Sequence, residues 1–286
     1  MAAGVTAPRR RRISARDGLR LSALDWEGPH GATPLLCLAG IARSSLDFRR
    51  IGARYAGQRR VVALDYAGHG ESARAETPRR YAPQLAIQDV LDAMAALGLH
   101  RVALLGTSFG GILGMALGTL RPGVLAGLAL NDTGPRLASP GLDTIRELIG
   151  RDPAFASLDD AIGFLRARLP PLGFAEADWP DLAERTYARG EDGRWHPRWD
   201  IRIAEVLPKP GDAAPDLWPF FRAIPAIPLL LVRGEASAVL AADTVQAMQA
   251  ARPDMAVCAL PGIGHSPPLL DAASLAAIDA WLARIP

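Results

Sequence analysis

Two short stretches of this chain carry residue types that can do covalent chemistry. The first is Gly106-Thr107-Ser108-Phe109-Gly110, followed by Gly111. It fits Gly-x-Ser-x-Gly, with an apolar run before it and a helical pattern after it. Such a strand-to-helix turn projects the serine hydroxyl from the strand end, and side chains at the flanking positions would clash. The helix behind it aims free N–H groups and a positive dipole end at negative charge developing beside Ser108. The bland alternative is a glycine-rich turn with no chemistry. A phosphate cradle is disfavoured because the Lys-Ser/Thr ending is missing. The second stretch is Pro261-Gly262-Ile263-Gly264-His265-Ser266-Pro267. A serine hydroxyl needs a base to take its proton. Of the five histidines, His265 follows the last apolar run and precedes the last helical pattern, at the same sheet edge as Ser108. His69, in Gly68-His69-Gly70, reads as a turn or hydrogen-bonding residue, and His30, His100 and His196 as surface residues. Together Ser108 and His265 point to acyl transfer.

The elements that must position these groups are legible as an alternation. Apolar runs at 35–38, 61–64, 102–105, 124–130, 229–232 and 256–260 read as buried strands. Amphipathic stretches at 86–97, 111–120, 244–252 and 273–283 read as helices between them. That order predicts an α/β protein with a mostly parallel sheet and helices on both faces. Segments 12–16 and 19–25 predict an opening hairpin with Asp17-Gly18 at its turn. The alternation breaks at 134–226, roughly 90 residues, far beyond an ordinary connection. Helical patterns at 142–149, 158–169 and 181–189 make it an inserted helical cap. Core segments 13–133 and 227–286 flank it, and 1–12 is expected to be a disordered basic tail.

Composition bounds the partners. A net charge of +2 offers no field for nucleic acid or an anionic membrane. The run Arg9 to Arg12 is not followed by the apolar region an export signal needs. No stretch approaches the ~18 apolar residues of a membrane span. Cys37 and Cys258 each sit in an apolar strand-like run, so buried free thiols and a reducing, cytoplasmic setting are expected. No His/Cys cluster suggests a metal and no dinucleotide fingerprint is present, so no cofactor is expected.

From about Ser14 to the C-terminus the sequence resembles the α/β-hydrolase superfamily, and within it the capped serine esterase/lactonase-like members. Four segments carry the resemblance: Leu38-Ala39-Gly40-Ile41 (the oxyanion loop), Asp65-Tyr66-Ala67-Gly68-His69-Gly70-Glu71-Ser72 (an Asp-x-x-Gly-x-Gly-x-Ser turn), Gly106 to Gly110 (the nucleophile elbow) and Gly264-His265 (the histidine loop). It implies the α/β-hydrolase fold, with a mostly parallel eight-stranded sheet wrapped by helices, and the chain order serine, acid, histidine. It also implies an oxyanion hole from the backbone N–H groups of Ile41 and Phe109. The loop reads Ala39-Gly40 where the family usually has His-Gly, a change that backbone donors survive. The usual acid position after 229–232 reads Gly234-Glu235-Ala236-Ser237-Ala238, with Ala238 where close relatives tend to have Asp. Some members draw the acid from the strand after the nucleophile helix. Asp132 is therefore one candidate, with tying the first turn of the cap as its structural alternative, and Glu235 is the second.

The implied activity is hydrolysis of a small-molecule carboxylic ester or lactone through an acyl-enzyme, by a monomer or homodimer. Carbon–carbon bond hydrolysis or perhydrolysis would use the same serine and histidine, and a catalytically weak, ligand-binding member is the rival of another class. The run Leu217-Trp218-Pro219-Phe220-Phe221 suggests that Trp218 and Phe221 line an apolar acyl pocket, the alternative being the cap's own core.

Overall fold

Strands form where β-compatible apolar residues run unbroken, and helices where the period lengthens. The computed structural model describes residues 7–209, 212 and 215–286. In chain order the first half holds β1 (Arg9–Ser14), β2 (Arg20–Trp26), β3 (Leu35–Leu38), α1 (Arg49–Tyr55), β4 (Val61–Asp65), α2 (Pro83–Ala96), β5 (Val102–Thr107), α3 (Phe109–Leu120) and β6 (Leu125–Asn131). Next come α4 (Ser139–Ile149), α5 (Leu158–Arg168), α6 (Asp178–Thr186), β7 (Tyr187–Arg189), β8 (Trp195–Pro197) and α7 (Trp218–Arg222). The chain closes with β9 (Leu229–Gly234), α8 (Ala242–Ala251), β10 (Ala256–Leu260) and α9 (Ala272–Leu282).

Eight strands form one sheet in the order β1-β2-β4-β3-β5-β6-β9-β10. Pairs β1/β2 and β2/β4 are antiparallel, and the other five pairs are parallel. Alternate residues of the central strands feed two cores. Leu36, Leu38, Leu104, Leu128 and Leu130 pack on one face, and Leu35, Cys37, Ala103, Leu105 and Ala129 on the other. Both faces are covered, so these strands read as continuous apolar runs rather than alternating ones. Register aligns the strand ends: Thr107 lies opposite Asn131, Asn131 opposite Val232, and Gly234 opposite Leu260. The loops after β5, β6, β9 and β10 therefore emerge at one edge, where open parallel sheets place their ligands.

Two expectations are corrected. Arg9 to Arg12 are not a disordered tail but most of β1, paired in register with 22–25 of β2; residues 1–6 of that expected tail lie outside the described residues. Acidic and polar partners hold three of these arginines: Arg9 pairs with Glu27 (2.8 Å), Arg11 with Asp25 (2.8 Å), and Arg10 donates to Ser22 Oγ (2.9 Å). Charged side chains also suit a strand at the sheet edge, since they deter pairing with another chain. The helix expected over 181–189 ends at Thr186, and Tyr187–Arg189 forms a hairpin with β8 instead. The segment between β6 and β9 is thus not wholly helical. Helix α1, with only Ile51, Gly52 and Tyr55 buried, has too short an apolar stripe to stand out from sequence.

Candidate active site

Ser108 sits at the turn between β5 and α3 with φ 49° and ψ −113°, a conformation that L residues rarely adopt. Its neighbours explain how the turn survives. A side chain at Gly106 would begin 2.5 Å from the Gly110 carbonyl, and one at Gly110 would begin 2.1 Å from the Leu38 carbonyl oxygen. One at Gly111 would begin 2.3 Å from Thr133 Cγ2. The three glycines let α3 press onto β3, β5 and the end of β6 while the Ser108 backbone is held. The Ser108 N–H donates to Asn131 O (2.9 Å), and its carbonyl accepts from Gly111 and Ile112. Strain fixed by its surroundings at a nucleophilic side chain is a mark of a working site.

His265 reaches this serine from the loop after β10. Its Nε2 lies 3.0 Å from Ser108 Oγ, and its Nδ1 lies 2.7 Å from Asp132 Oδ2. An ionised carboxylate can only accept, so Nδ1 carries the ring proton and Nε2 accepts from the serine hydroxyl. Asp132 lies just beyond β6, fully buried, with φ 54°. Its second oxygen, Oδ1, accepts from the Gly234 N–H (3.1 Å), and its own N–H donates to Val232 O (2.7 Å). The strand end of β9 thus clamps the carboxylate supplied from the end of β6.

Of the two candidate acids the structure brings only Asp132 to the histidine. Glu235 is exposed, as is Ala238. The histidine loop is anchored separately. A Gly234 side chain would begin 2.3 Å from Ile263 O, and Ala236 N–H donates to that same carbonyl (2.9 Å). Asn131 Nδ2 bridges Thr107 Oγ1 (3.1 Å) and Pro267 O (2.9 Å), latching the serine strand to the histidine loop. Asn131 was not singled out in sequence, and only its place before Asp132 hints at it.

Gly40 and Ile41, expected to form the oxyanion loop, line the same cavity as Ser108 and His265. Ser108 Cβ lies only 3.6 Å from where a Gly40 side chain would begin, so this backbone comes close to the serine. Phe109 opens α3, where the first amides of a helix lack intrahelical acceptors. His69, as expected, is a turn residue: its Nδ1 lies 2.9 Å from Ala67 O, and burial drops its pKa to about 4.

The cavity measures ≈190 Å³. Its walls are largely apolar and come from both the sheet edge and the segment between β6 and β9, including Phe48, Ile51, Ile145, Leu148, Leu165, Leu169, Phe174 and Leu182. Trp218 and Phe221, expected in this wall, are not part of it. Phe221 is fully buried, and Trp218 stacks edge-on against it and lies over Arg222. Helix α7 hangs on α3, through Thr119 Oγ1 donating to Phe220 O (3.3 Å), so its aromatics serve packing there.

One stretch of the wall is polar and was missed in the sequence reading. Arg43 grips Asp47 with Nε and Nη2 (2.7 and 2.5 Å) and donates from Nη1 to Thr186 Oγ1 (2.6 Å). Arg185 of α6 reaches the same Asp47 with Nη1 (2.6 Å) and Asp181 with Nε (2.9 Å). Asp181 in turn meets Arg49. Burial alone would raise the Asp47 carboxyl, but the fields of Arg43 and Arg185 hold it below its usual range. The spacings Arg43-x-x-x-Asp47 and Asp181-x-x-x-Arg185 were the available signal, each an (i, i+4) pair.

Comparison with known proteins agrees with this architecture. The profile described as "Alpha/beta hydrolase family" matches residues 18–278. A 3-hydroxybutyrate-oligomer hydrolase of Cupriavidus necator is 30% identical over 268 residues, covering 90% of each chain. A 2-(acetamidomethylene)succinate hydrolase of Mesorhizobium japonicum is 25% identical over 82% of each. Among solved structures, an alpha/beta hydrolase from Novosphingobium aromaticivorans is 35% identical, with a TM-score of 0.93 over 99% of this chain and 100% of that one.

Proposed function

The chain belongs to the alpha/beta hydrolase family, and from that premise we propose that it is a serine hydrolase cleaving small carboxylic esters or lactones through an acyl-enzyme on Ser108. One observation carries this reading: the unbroken relay from Asp132 Oδ2 through His265 (2.7 Å) to Ser108 Oγ (3.0 Å). The hydrolase names of relatives support the broader class, and an oligomer of a hydroxy acid, the substrate in one of those names, is joined by esters.

In the proposed reaction Nε2 of His265 takes the Ser108 proton as Oγ attacks the carbonyl carbon. Negative charge moves onto the carbonyl oxygen, which accepts from the N–H groups of Ile41 and Phe109. The bond to the leaving oxygen then breaks, and His265 hands its proton to that oxygen. A water loses a proton to the freed His265 and attacks the acyl carbon. Collapse returns the proton to Ser108 and releases the acid. Asp132 keeps the imidazole in the Nδ1–H tautomer and offsets its positive charge. No step draws on a cofactor. The segment 134–226 acts as the cap that shields the acyl group from bulk water. A small-molecule substrate fits the small cavity, and free Cys37 and Cys258 fit a cytoplasmic setting. Among the described residues no helix is long and apolar enough to cross a membrane.

A fluorophosphonate probe read by intact mass tests the serine directly. One adduct on the parent protein and none on Ser108→Ala is the expected result. A folded parent protein that stays unlabelled over hours would sink the proposal. Profiling with esters, carbon–carbon substrates and peroxide then separates ester cleavage from the other reactions of the same pair.

A further inference from the structure

The polar stretch of the cavity wall holds more positive charge than its partners neutralise. Arg43 and Arg185 both line the cavity, and both lean on one carboxylate, Asp47. The other acid that Arg185 meets, Asp181, is already shared with Arg49. Two guanidinium groups therefore face a largely apolar chamber with one carboxylate fully theirs. Unneutralised charge in such a place is costly until an anion arrives. Donors are also left over. A guanidinium has five N–H bonds, and Arg185 is bonded only through Nε and Nη1, so its Nη2 is without a partner among the described residues. Tyr187 lines the same cavity, with its ring wedged between Phe155 and Trp199. Its hydroxyl likewise has no hydrogen-bond partner among the described residues, and burial raises its pKa to about 12, so it stays a neutral donor.

The placement relates this wall to the serine. Arg43 follows the oxyanion loop directly, and its Cγ and the Ser108 Cβ each lie 3.6 Å from where a Gly40 side chain would begin. The Arg43 stem therefore passes beside the nucleophile, and Arg43 and Ser108 line one cavity. Asp47 fixes both guanidinium groups from the sheet side and so presents them ready-made, which spares the ordering cost of binding. Arg185 and Tyr187 arrive from α6 and β7, so this wall is complete only with the segment between β6 and β9 in place.

We propose that Arg43, Arg185 and Tyr187 form a seat for a carboxylate on the substrate, so that the favoured substrates are small esters carrying a free carboxylate in addition to the scissile ester. The inference rests on the serine-hydrolase reading of the same site, but the seat can be tested apart from catalysis. With Ser108→Ala protein, calorimetry compares the monomethyl ester of glutaric acid with methyl pentanoate, a neutral molecule of similar length. A forked charge-assisted pairing predicts at least about tenfold tighter binding of the anion. Arg185→Gln, added to that protein and checked for fold by circular dichroism, brings the ratio toward one; Arg43→Lys serves if that variant does not fold. Equal affinity for the two esters, undetectable anion binding, or a preference that survives both substitutions overturns the seat. Turnover of the 4-nitrophenyl monoester of glutaric acid and of 4-nitrophenyl pentanoate separates the two readings. Anion binding without turnover of either ester keeps the seat and sinks the hydrolase. Turnover that does not favour the anionic ester keeps the hydrolase and sinks the seat.

Discussion

Replacing Asp132 by Asn tests its proposed role as the acid, because the structure dictates which way the new amide turns. Asp132 Oδ1 accepts the buried Gly234 N–H at 3.1 Å, and Oδ2 accepts from His265 at 2.7 Å. An asparagine must keep its carbonyl oxygen toward Gly234, since two donors would otherwise face each other in a buried place. Its NH₂ group then faces Nδ1, which has to become an acceptor. The ring proton moves to Nε2, the atom that must accept the proton of Ser108. The variant keeps its packing, because the two side chains have the same shape, yet holds the wrong tautomer. In triads of this type that change costs ~10⁴-fold in kcat, about 5 kcal/mol of barrier, with residual catalysis from the oxyanion donors. The assay is steady-state hydrolysis of an activated ester, with KM and the melting temperature followed together. A fall in kcat of ~10³-fold or more, at little-changed KM and fold, is expected. A loss below about tenfold would refute the tautomer reasoning and leave Asp132 with the structural task of clamping β6 to β9.

Three further outcomes follow. Gly110→Ala sets a methyl 2.1 Å from the Leu38 carbonyl oxygen, a backbone atom that cannot step aside; a loss of about 3 kcal/mol or more in urea unfolding is expected, and a stable variant would show that α3 can slide. Ala238→Asp places a carboxylate on an exposed turn while His265 already donates to Asp132, so kcat should change by no more than about twofold in the same ester assay. Burial lowers His69 from 6.5 to about 4, so between these values the unfolded chain binds more protons, and stability falls by about 3 kcal/mol as pH drops through that window. Asp65, raised by burial from 3.8 to about 6, acts with the opposite sort of linkage, losing stability as pH rises through 3.8 to 6, so the two largely cancel in the parent protein. His69→Gln separates them: relative to the parent it should gain about 3 kcal/mol between pH 6.5 and 4 in denaturant titrations, and a pH-independent difference would show that His69 is not held neutral.

By itself the sequence determined the local half of this protein. Apolar runs of strand length, buried on both faces, named the parallel strands, and the glycines around Ser108 named the elbow because they fill positions where any side chain meets backbone. His265 was legible for the same reason, being in the loop after the last strand, and parallel strands deliver such loops to a common edge. Longer-range matters were decided by the tertiary structure. Asp132 and Glu235 are equivalent as letters, and only the register of β6 against β9 buries one beside His265 and leaves the other in water. Arg9 to Arg12 look like a solvated tail until the acids that meet Arg9, Arg10 and Arg11 are found across the hairpin and beyond it. Trp218 and Phe221 have the composition of a pocket, but α7 packs them against α3, whereas Arg43 and Arg185, 142 positions apart in the chain, meet over Asp47 in the wall beside Ser108. Side-chain type sets what a residue can do. Where distant segments meet is set by how the whole chain buries its surface, and no local pattern encodes that.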